Sequence, residues 1–241
     1  RFQEVRLDLK LARKLGSVGF FKIGPTFQRL EIENPEGKDR YIINEYTPTH
    51  PLIENDRNYL GLLTSWGIDK RNHPLLTTRG VYLQQNSRYM KGFNTDNFTS
   101  HNASIAVYQA FKIPAIVTFA FRAGAGINTG KYEFYQAQIL DGKTELRGFR
   151  KTRFYGDRKL FFNNEVRIKL TSFQSYLFPA HLGILGFYDV GRVWYKDPSS
   201  NNDPTASDGK SNVWHHGLGG GIWLTPFNLT VLSTEVGHSN E

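Results

Sequence analysis

Cysteine is absent from the 241 residues, which removes disulfide frameworks, thiolate metal sites and cysteine nucleophiles together. No run of 18 or more apolar residues occurs, so a membrane-spanning helix is not encoded. The opening Arg-Phe-Gln-Glu-Val-Arg also lacks the apolar centre of a signal peptide. No Gly-x-Ser-x-Gly or other nucleophile motif appears. Basic clusters are missing as well. The net charge is +8, but Lys and Arg are scattered among Asp and Glu instead of forming the patch that nucleic-acid binding requires. Attraction to anionic lipid headgroups accounts better for the excess positive charge.

What is present points to strands. Aromatic residues make up 14% of the chain and glycine occupies 23 positions, a mixture of strand formers and turn formers that predicts an all-β domain. Val5, Leu7, Leu9 and Leu11 alternate with Glu4, Arg6, Asp8 and Lys10; a strand sorts these onto two faces, whereas a helix mixes them. Val117, Phe119, Phe121, Ala123 and Ala125 alternate in the same way with Thr118, Ala120, Arg122 and Gly124. So do Phe162, Val166, Ile168 and Leu170 with Asn163, Glu165, Arg167 and Lys169. Alternation suits a soluble sandwich with its apolar face inward, and equally a membrane barrel with that face toward lipid. Length separates the two: the segment 159–170 exceeds the roughly 5–6 residues usual in soluble sheets and matches the ~9–11 that cross a bilayer obliquely. Tyr59, Trp66, Tyr188, Trp194, Tyr195 and Trp214 fall near strand ends, where interfacial girdles sit. The negative mean hydropathy is what barrel strands of alternating polarity produce. The expected fold is a transmembrane antiparallel β-barrel.

Turn signals divide the chain into candidate strands at 2–13, 17–31, 38–46, 57–68, 79–90, 101–111, 115–126, 159–171, 181–195, 213–225 and 228–237. Bacterial barrels usually close with an even number, so an odd tally predicts strands missing at the ends. The stretch 126–158 shows no clear strand and is long enough to predict a functional loop. The polar stretch 196–211 reads as an exposed loop. Leu146-Arg147-Gly148-Phe149 lies in the first of these. Phe187-Tyr188-Asp189-Val190-Gly191 lies in a later strand, with Asp189 on the face of Phe187 and Gly191, opposite Tyr188 and Val190. The two stretches fit the two sides of a buried Arg/Asp pair.

Several segments together resemble the bacterial surface antigen family, the BamA/TamA-type outer-membrane barrels. Asp69-Lys70-Arg71-Asn72-His73-Pro74 followed by Thr78-Arg79-Gly80 is similar to that family's Asp-x-Arg…Pro-x-x-Gly stretch. Leu146 to Phe149 resembles its Val-Arg-Gly-Phe/Tyr loop, with leucine in place of valine. Asn164-Glu165-Val166-Arg167 looks like its Asn-x-Glu-x-Arg strand, Phe187 to Gly191 fits its Phe-x-Asp-x-Gly strand, and Gly217 to Pro226 resembles the Gly-x-Gly…Pro stretch that follows. The resemblance implies a barrel of sixteen strands when complete, most of them in 1–241, with any periplasmic module outside it. It implies that the loop within 126–158 enters the lumen and that Arg147 contacts Asp189, with Glu165 as a second partner. Gly148 permits a tight turn, and Phe149 packs on the lumen wall.

The function implied is assistance to insertion and assembly of outer-membrane proteins in a Gram-negative outer membrane. The implied partners are outer-membrane lipid or lipopolysaccharide, unfolded outer-membrane proteins and accessory outer-membrane or periplasmic proteins. Alternatives are a polypeptide-exporting pore, a membrane anchor for a phosphoesterase-like or lipase-like domain upstream of Arg1, and a structural subunit of a larger complex. No cofactor, catalytic residue or metal ligand is assigned. His215 and His216 point to opposite faces of a strand and cannot readily share an ion. The glycine run 217–221 lacks the Lys-Ser/Thr of a phosphate loop and reads as close strand packing at a bend.

Overall fold

The computed structural model describes residues 2–32, 57–93, 95–132, 134–150, 153–174, 178–194, 213–227 and 229–239. In chain order these form β1 (Phe2–Asp8), β2 (Leu11–Leu15), β3 (Gly19–Ile32), β4 (Arg57–Asp69), β5 (Gly80–Gly92), β6 (Phe98–Ile113) and β7 (Ala115–Gly130). A 3-10 turn at Phe134–Gln136 follows, then β8 (Gln138–Leu140), β9 (Phe154–Gly156), β10 (Arg158–Gln174), β11 (Pro179–Trp194), β12 (His215–Pro226) and β13 (Leu232–Ser239). All but β8 and β9 belong to one eleven-stranded antiparallel sheet, in which β1 and β2 both pair with β3 and from β3 onward each strand of the sheet lies beside the next one in the chain. The step from β7 to β10 is bridged by the separate β8–β9 ribbon.

Side-chain polarity runs opposite to that of a soluble sandwich. Thr26, Gln28, Thr118, Asn128, Asn163, Asp189 and Thr225 are buried, while Phe119, Phe121, Ile184, Leu218 and Ile222 are exposed. Along β7, Thr118, Gly124, Gly126 and Asn128 face inward and are buried, and the phenylalanines between them face outward. An apolar outer face with a polar inner one is the wall of a membrane barrel, whose solvent outside is hydrocarbon. The strand lengths agree: β10 has 17 residues and β6, β7 and β11 have 16 each.

The structure revises several expected boundaries. The strand expected over 2–13 is split into β1 and β2, yet both pair with β3 in one continuous register. Pro25 stands opposite the break. Leu9 N–H still donates to the Pro25 carbonyl at 3.1 Å, but Pro25 has no N–H to return. The stretch 126–158 is not free of strands: β7 runs on to Gly130, and β8 and β9 are too short to leave a periodic signal. Tyr59 is no girdle residue, being buried at 1% exposure with Leu30, Met90 and Phe98 on the inner face. Trp66, Tyr188 and Trp214 are exposed. The expected strand at 38–46, the loop 196–211 and Tyr195 lie outside the described residues.

The sheet curls around its inner face. Tyr132 and Tyr135, just after β7, pack on the Tyr59 cluster of β3–β6, while residues further along the same connection reach β13. From the other end, Leu76 of the β4–β5 connection packs against the cluster of Leu185 and Phe187 of β11 and Trp223 of β12.

Candidate functional site

The site is built where the connection 131–157 crosses the inner face. Its root is tied to the sheet by Gln138, whose Nε2 donates to Asn128 Oδ1 at 2.7 Å and to Ser100 Oγ at 3.0 Å. Asn128 Nδ2 in turn donates to the Gln136 carbonyl at 2.7 Å. The segment after β8, Asp141-Gly142-Lys143-Thr144-Glu145, folds into a compact turn for a local reason. The Asp141 carboxylate accepts from Lys143 N–H at 3.1 Å and Thr144 Oγ1 at 2.8 Å, and the Asp141 carbonyl accepts from the N–H groups of Glu145 and Leu146 at 2.9 and 3.0 Å. Aspartate commonly organises such turns through its own side chain.

That turn delivers two anchors. Leu146, fully buried, joins Leu140, Phe154, Phe161 and Val193 in an apolar cluster. Glu145 meets Lys159 of β10, whose Nζ donates to both carboxylate oxygens at 2.8 Å and to the Ile139 carbonyl at 2.9 Å. Gly191 makes room for this packing: a Cβ there would lie 2.9 Å from a Leu140 methyl.

Arg147 follows and binds three strands. Its Nε donates to Asp189 Oδ2 at 2.7 Å, its Nη2 to Asp189 Oδ1 at 3.0 Å and its backbone N–H to Asp189 Oδ2 at 3.1 Å. Nη1 donates to Glu165 on β10 at 2.5 Å and to Glu235 on β13 at 3.2 Å. The paired contacts to Asp189 form the fork geometry that arginine supplies and lysine cannot. The guanidinium also lies over the Phe187 ring, 3.8 Å from its centroid, a cation–π contact. The Asp189 side chain is fully buried and that of Arg147 is 14% exposed. Burial opposes the guanidinium charge, but the hydrogen bonds and fields of Asp189 and Glu165 outweigh it and hold the Arg147 pKa above its usual value. Glu165 is shared, accepting also from Arg167 Nε at 2.5 Å.

The backbone beyond Arg147 passes close to the sheet. Gly148 has φ +99°, a conformation that glycine adopts without strain. The Arg147 carbonyl lies over Gly217, where a Cβ would approach it to 2.0 Å. Phe149 then packs edge-on against Phe154 and against His215, with ring centroids 5.1 and 5.9 Å apart. His215 itself stacks on Phe154 at 3.8 Å. It is buried on the inner face, and His216 is outside.

Leu146, Arg147, Gly148, Phe149, Glu165, Phe187, Asp189 and Gly191 therefore converge within one inner-face cluster. Sequence reasoning did not find Glu235, the Lys159–Glu145 pair or the seat at Gly217. Glu235 had a usable signal, being the sole carboxylate in the stretch 228–237. The glycine run is a correction in part: Gly219 and Gly221 serve close strand packing, with a Cβ at either lying 2.2 Å from a β13 carbonyl, but Gly217 receives the loop.

A polar-lined, lipid-faced antiparallel wall with a long connection bonded across its interior belongs to the class of transmembrane β-barrels. The profile of the Omp85 superfamily domain matches residues 1–234, and the chain belongs to that superfamily. The fold is similar to that of BamA from Haemophilus ducreyi, crystallised without POTRA domains 1–3, with a TM-score of 0.77 over 100% of this chain at 14% identity. The chain spans 51% of the length of that protein. A comparison with curated proteins returned no match.

Proposed function

We propose that the chain is the barrel of an outer-membrane assembly factor, which assists insertion of other outer-membrane proteins and works with membrane lipid, unfolded clients and accessory proteins. The observation that carries this reading is the convergence of Glu165, Asp189 and Glu235, from three strands, on the single Arg147 of the inner loop. Such a lock fixes loop and wall as one unit, so that the wall keeps its shape while client strands pair with exposed backbone at a sheet edge. Membership of the Omp85 superfamily supports the assignment, and so does the likeness of fold to BamA.

A second reading, a polypeptide-exporting pore, draws support from the same loop, because its span from the Tyr59 cluster to β13 obstructs the interior. One experiment separates the two. Wild type and Arg147→Ala are reconstituted in vesicles, and both client assembly and single-channel conductance are measured. Loss of assembly with unchanged conductance supports the assembly factor. Raised conductance with assembly unaffected overturns it in favour of the pore.

A further inference from the structure

The connection 70–79 joins β4 to β5 at the end of the sheet where the other described turns are short. It is not a minimal turn but a braced structure that extends over the inner face. Arg71 forks onto Asp69, with Nε to Oδ1 at 2.9 Å and Nη2 to Oδ2 at 2.7 Å. Asn72 Oδ1 accepts from the N–H groups of Thr78 and Arg79 at 3.1 and 3.0 Å. His73 Nδ1 accepts from the N–H groups of Leu75 and Leu76, both at 3.2 Å. Held in this way, Leu76 packs against the cluster of Leu185, Phe187 and Trp223. Between this connection and the strands from β7 to β12 lies a cavity of about 390 Å³, inside the range of roughly 300–1,000 Å³ common to small-molecule sites.

The walls of the cavity differ in character. Leu76, Ile116, Trp223 and Val231 form an apolar side. Arg167, Lys169, His181 and Thr225 supply a polar one, and no carboxylate lines the cavity among the described residues. Lys169 makes no ion pair among them. Thr225 is 3% exposed, and its Oγ1 is buried without a hydrogen-bond partner, as is His181 Nδ1. Buried polar atoms are rarely left unpaired, and those that are mark places where something else completes them. Lys169 beside such atoms favours an anion, with Arg167, whose Nε is held by Glu165, as a second cation in the wall, while the apolar side favours a hydrocarbon body attached to it.

We propose that this cavity binds an anionic amphiphile, with its carboxylate or phosphate against Lys169, Arg167 and the Thr225 hydroxyl and its apolar body along Leu76, Trp223 and Val231. The site touches the Arg147 cluster only through Glu165, which Arg167 and Arg147 share, and it does not depend on the role proposed there.

The test uses the full protein in vesicles of uncharged lipid, labelled with a decanoate that carries a photoreactive diazirine. Labelling is expected within 72–78 and 223–231, competed by decanoate and decyl phosphate but not by decyltrimethylammonium, acetate or inorganic phosphate at equal concentration. Thr225→Val breaks no native hydrogen bond and so leaves the fold intact. It and Lys169→Gln are each expected to weaken labelling about tenfold, the loss of one hydrogen bond to a charged group. Labelling confined to outward residues such as Leu170, Ile184 and Ile222 would overturn the proposal, because it reports bilayer partition alone. Equal competition by the cationic amphiphile would overturn the selection for negative charge. Displacement by acetate or inorganic phosphate would assign the site to a free anion and overturn the amphiphile. Wild-type labelling in both variants would overturn the assigned contacts.

Discussion

Asp189→Ala removes the carboxylate that accepts three hydrogen bonds from Arg147, one from the backbone and two from the guanidinium. The Asp189 side chain is fully buried, so bulk water does not simply take its place. Deleting one partner of a buried ion pair costs about 3–5 kcal/mol. Glu165 and Glu235 stay at 2.5 and 3.2 Å from Nη1 and keep the guanidinium compensated, which places the expected cost at the lower end, about 3 kcal/mol. At ~1.4 kcal/mol per decade that weakens loop docking roughly a hundredfold. Hydrogen exchange of the 141–150 amides, measured in vesicles, reads this directly, and the Arg147 N–H is the most informative probe because it donates to Asp189 itself. Exchange there is expected to accelerate about a hundredfold, with the β11 and β12 ladder amides unchanged. Asp189→Asn, which keeps the volume and loses the charge, gives a smaller acceleration. Unchanged exchange in Asp189→Ala, together with unchanged protease protection of the loop, refutes the reasoning and transfers the docking energy to Leu146 and Phe149.

Three further outcomes follow from the same geometry. Gly217→Ala puts a methyl 2.0 Å from the Arg147 carbonyl, so the loop lifts at a cost of roughly 1–3 kcal/mol; 141–150 exchanges faster although β12 still pairs with β11. Phe154→Ala empties the centre of the Leu140–Leu146–Phe161–Val193 cluster and is expected to cost about 3–5 kcal/mol, seen as a lower urea midpoint in vesicles with a wild-type midpoint as the disproof. Asn72→Ala deprives the Thr78 and Arg79 N–H groups of their acceptor, a loss of about 1–3 kcal/mol. Leu76 then loosens over Trp223, and in a variant retaining Trp223 as its one tryptophan, acrylamide quenching rises; equal quenching contradicts the assignment.

Much of the wall is legible in the chain because a period of two survives any register. Thr118–Arg122–Asn128 and Glu165–Arg167–Lys169 fall on one face whatever strand lies beside them, and Phe119, Phe121 and Ile168 fall on the other. Whether that polar face points in or out is not a property of periodicity, and strand length had to decide it. The stretches that meet at Arg147 stand out because arginine beside glycine, and aspartate between aromatic and glycine neighbours, are unusual in a half-apolar strand pattern. Gly217 is silent by comparison, and Glu235 stands out only as the lone carboxylate of its stretch, with nothing to name its partner. They act only because the sheet curls far enough for β12 and β13 to lie beneath the loop, and the amount of curl is a sum over many strands. Tyr59 misled for a similar reason: an aromatic at a strand end fits a headgroup belt, but Tyr132 and Tyr135 arrive from a distant connection and cover it instead. The strands β8 and β9, three residues each, are set by the packing of Leu140 and Phe154 and have no periodicity of their own.

Pro25 gives the sheet margin a perforation. Because the Leu9 carbonyl faces a residue that cannot donate, the bonds joining the first strand to β3 fall into two blocks, Phe2–Asp8 with Thr26–Ile32 and Leu11–Leu15 with Gly19–Ile23. Gly24 opposite Lys10 lets the two backbones press together there, leaving no space for a side chain. Each block can detach while the other stays paired, so that separation of this margin proceeds as two small transitions with different denaturant dependence instead of one large one. Restoring the missing donor with Pro25→Ala should fuse them into a single transition.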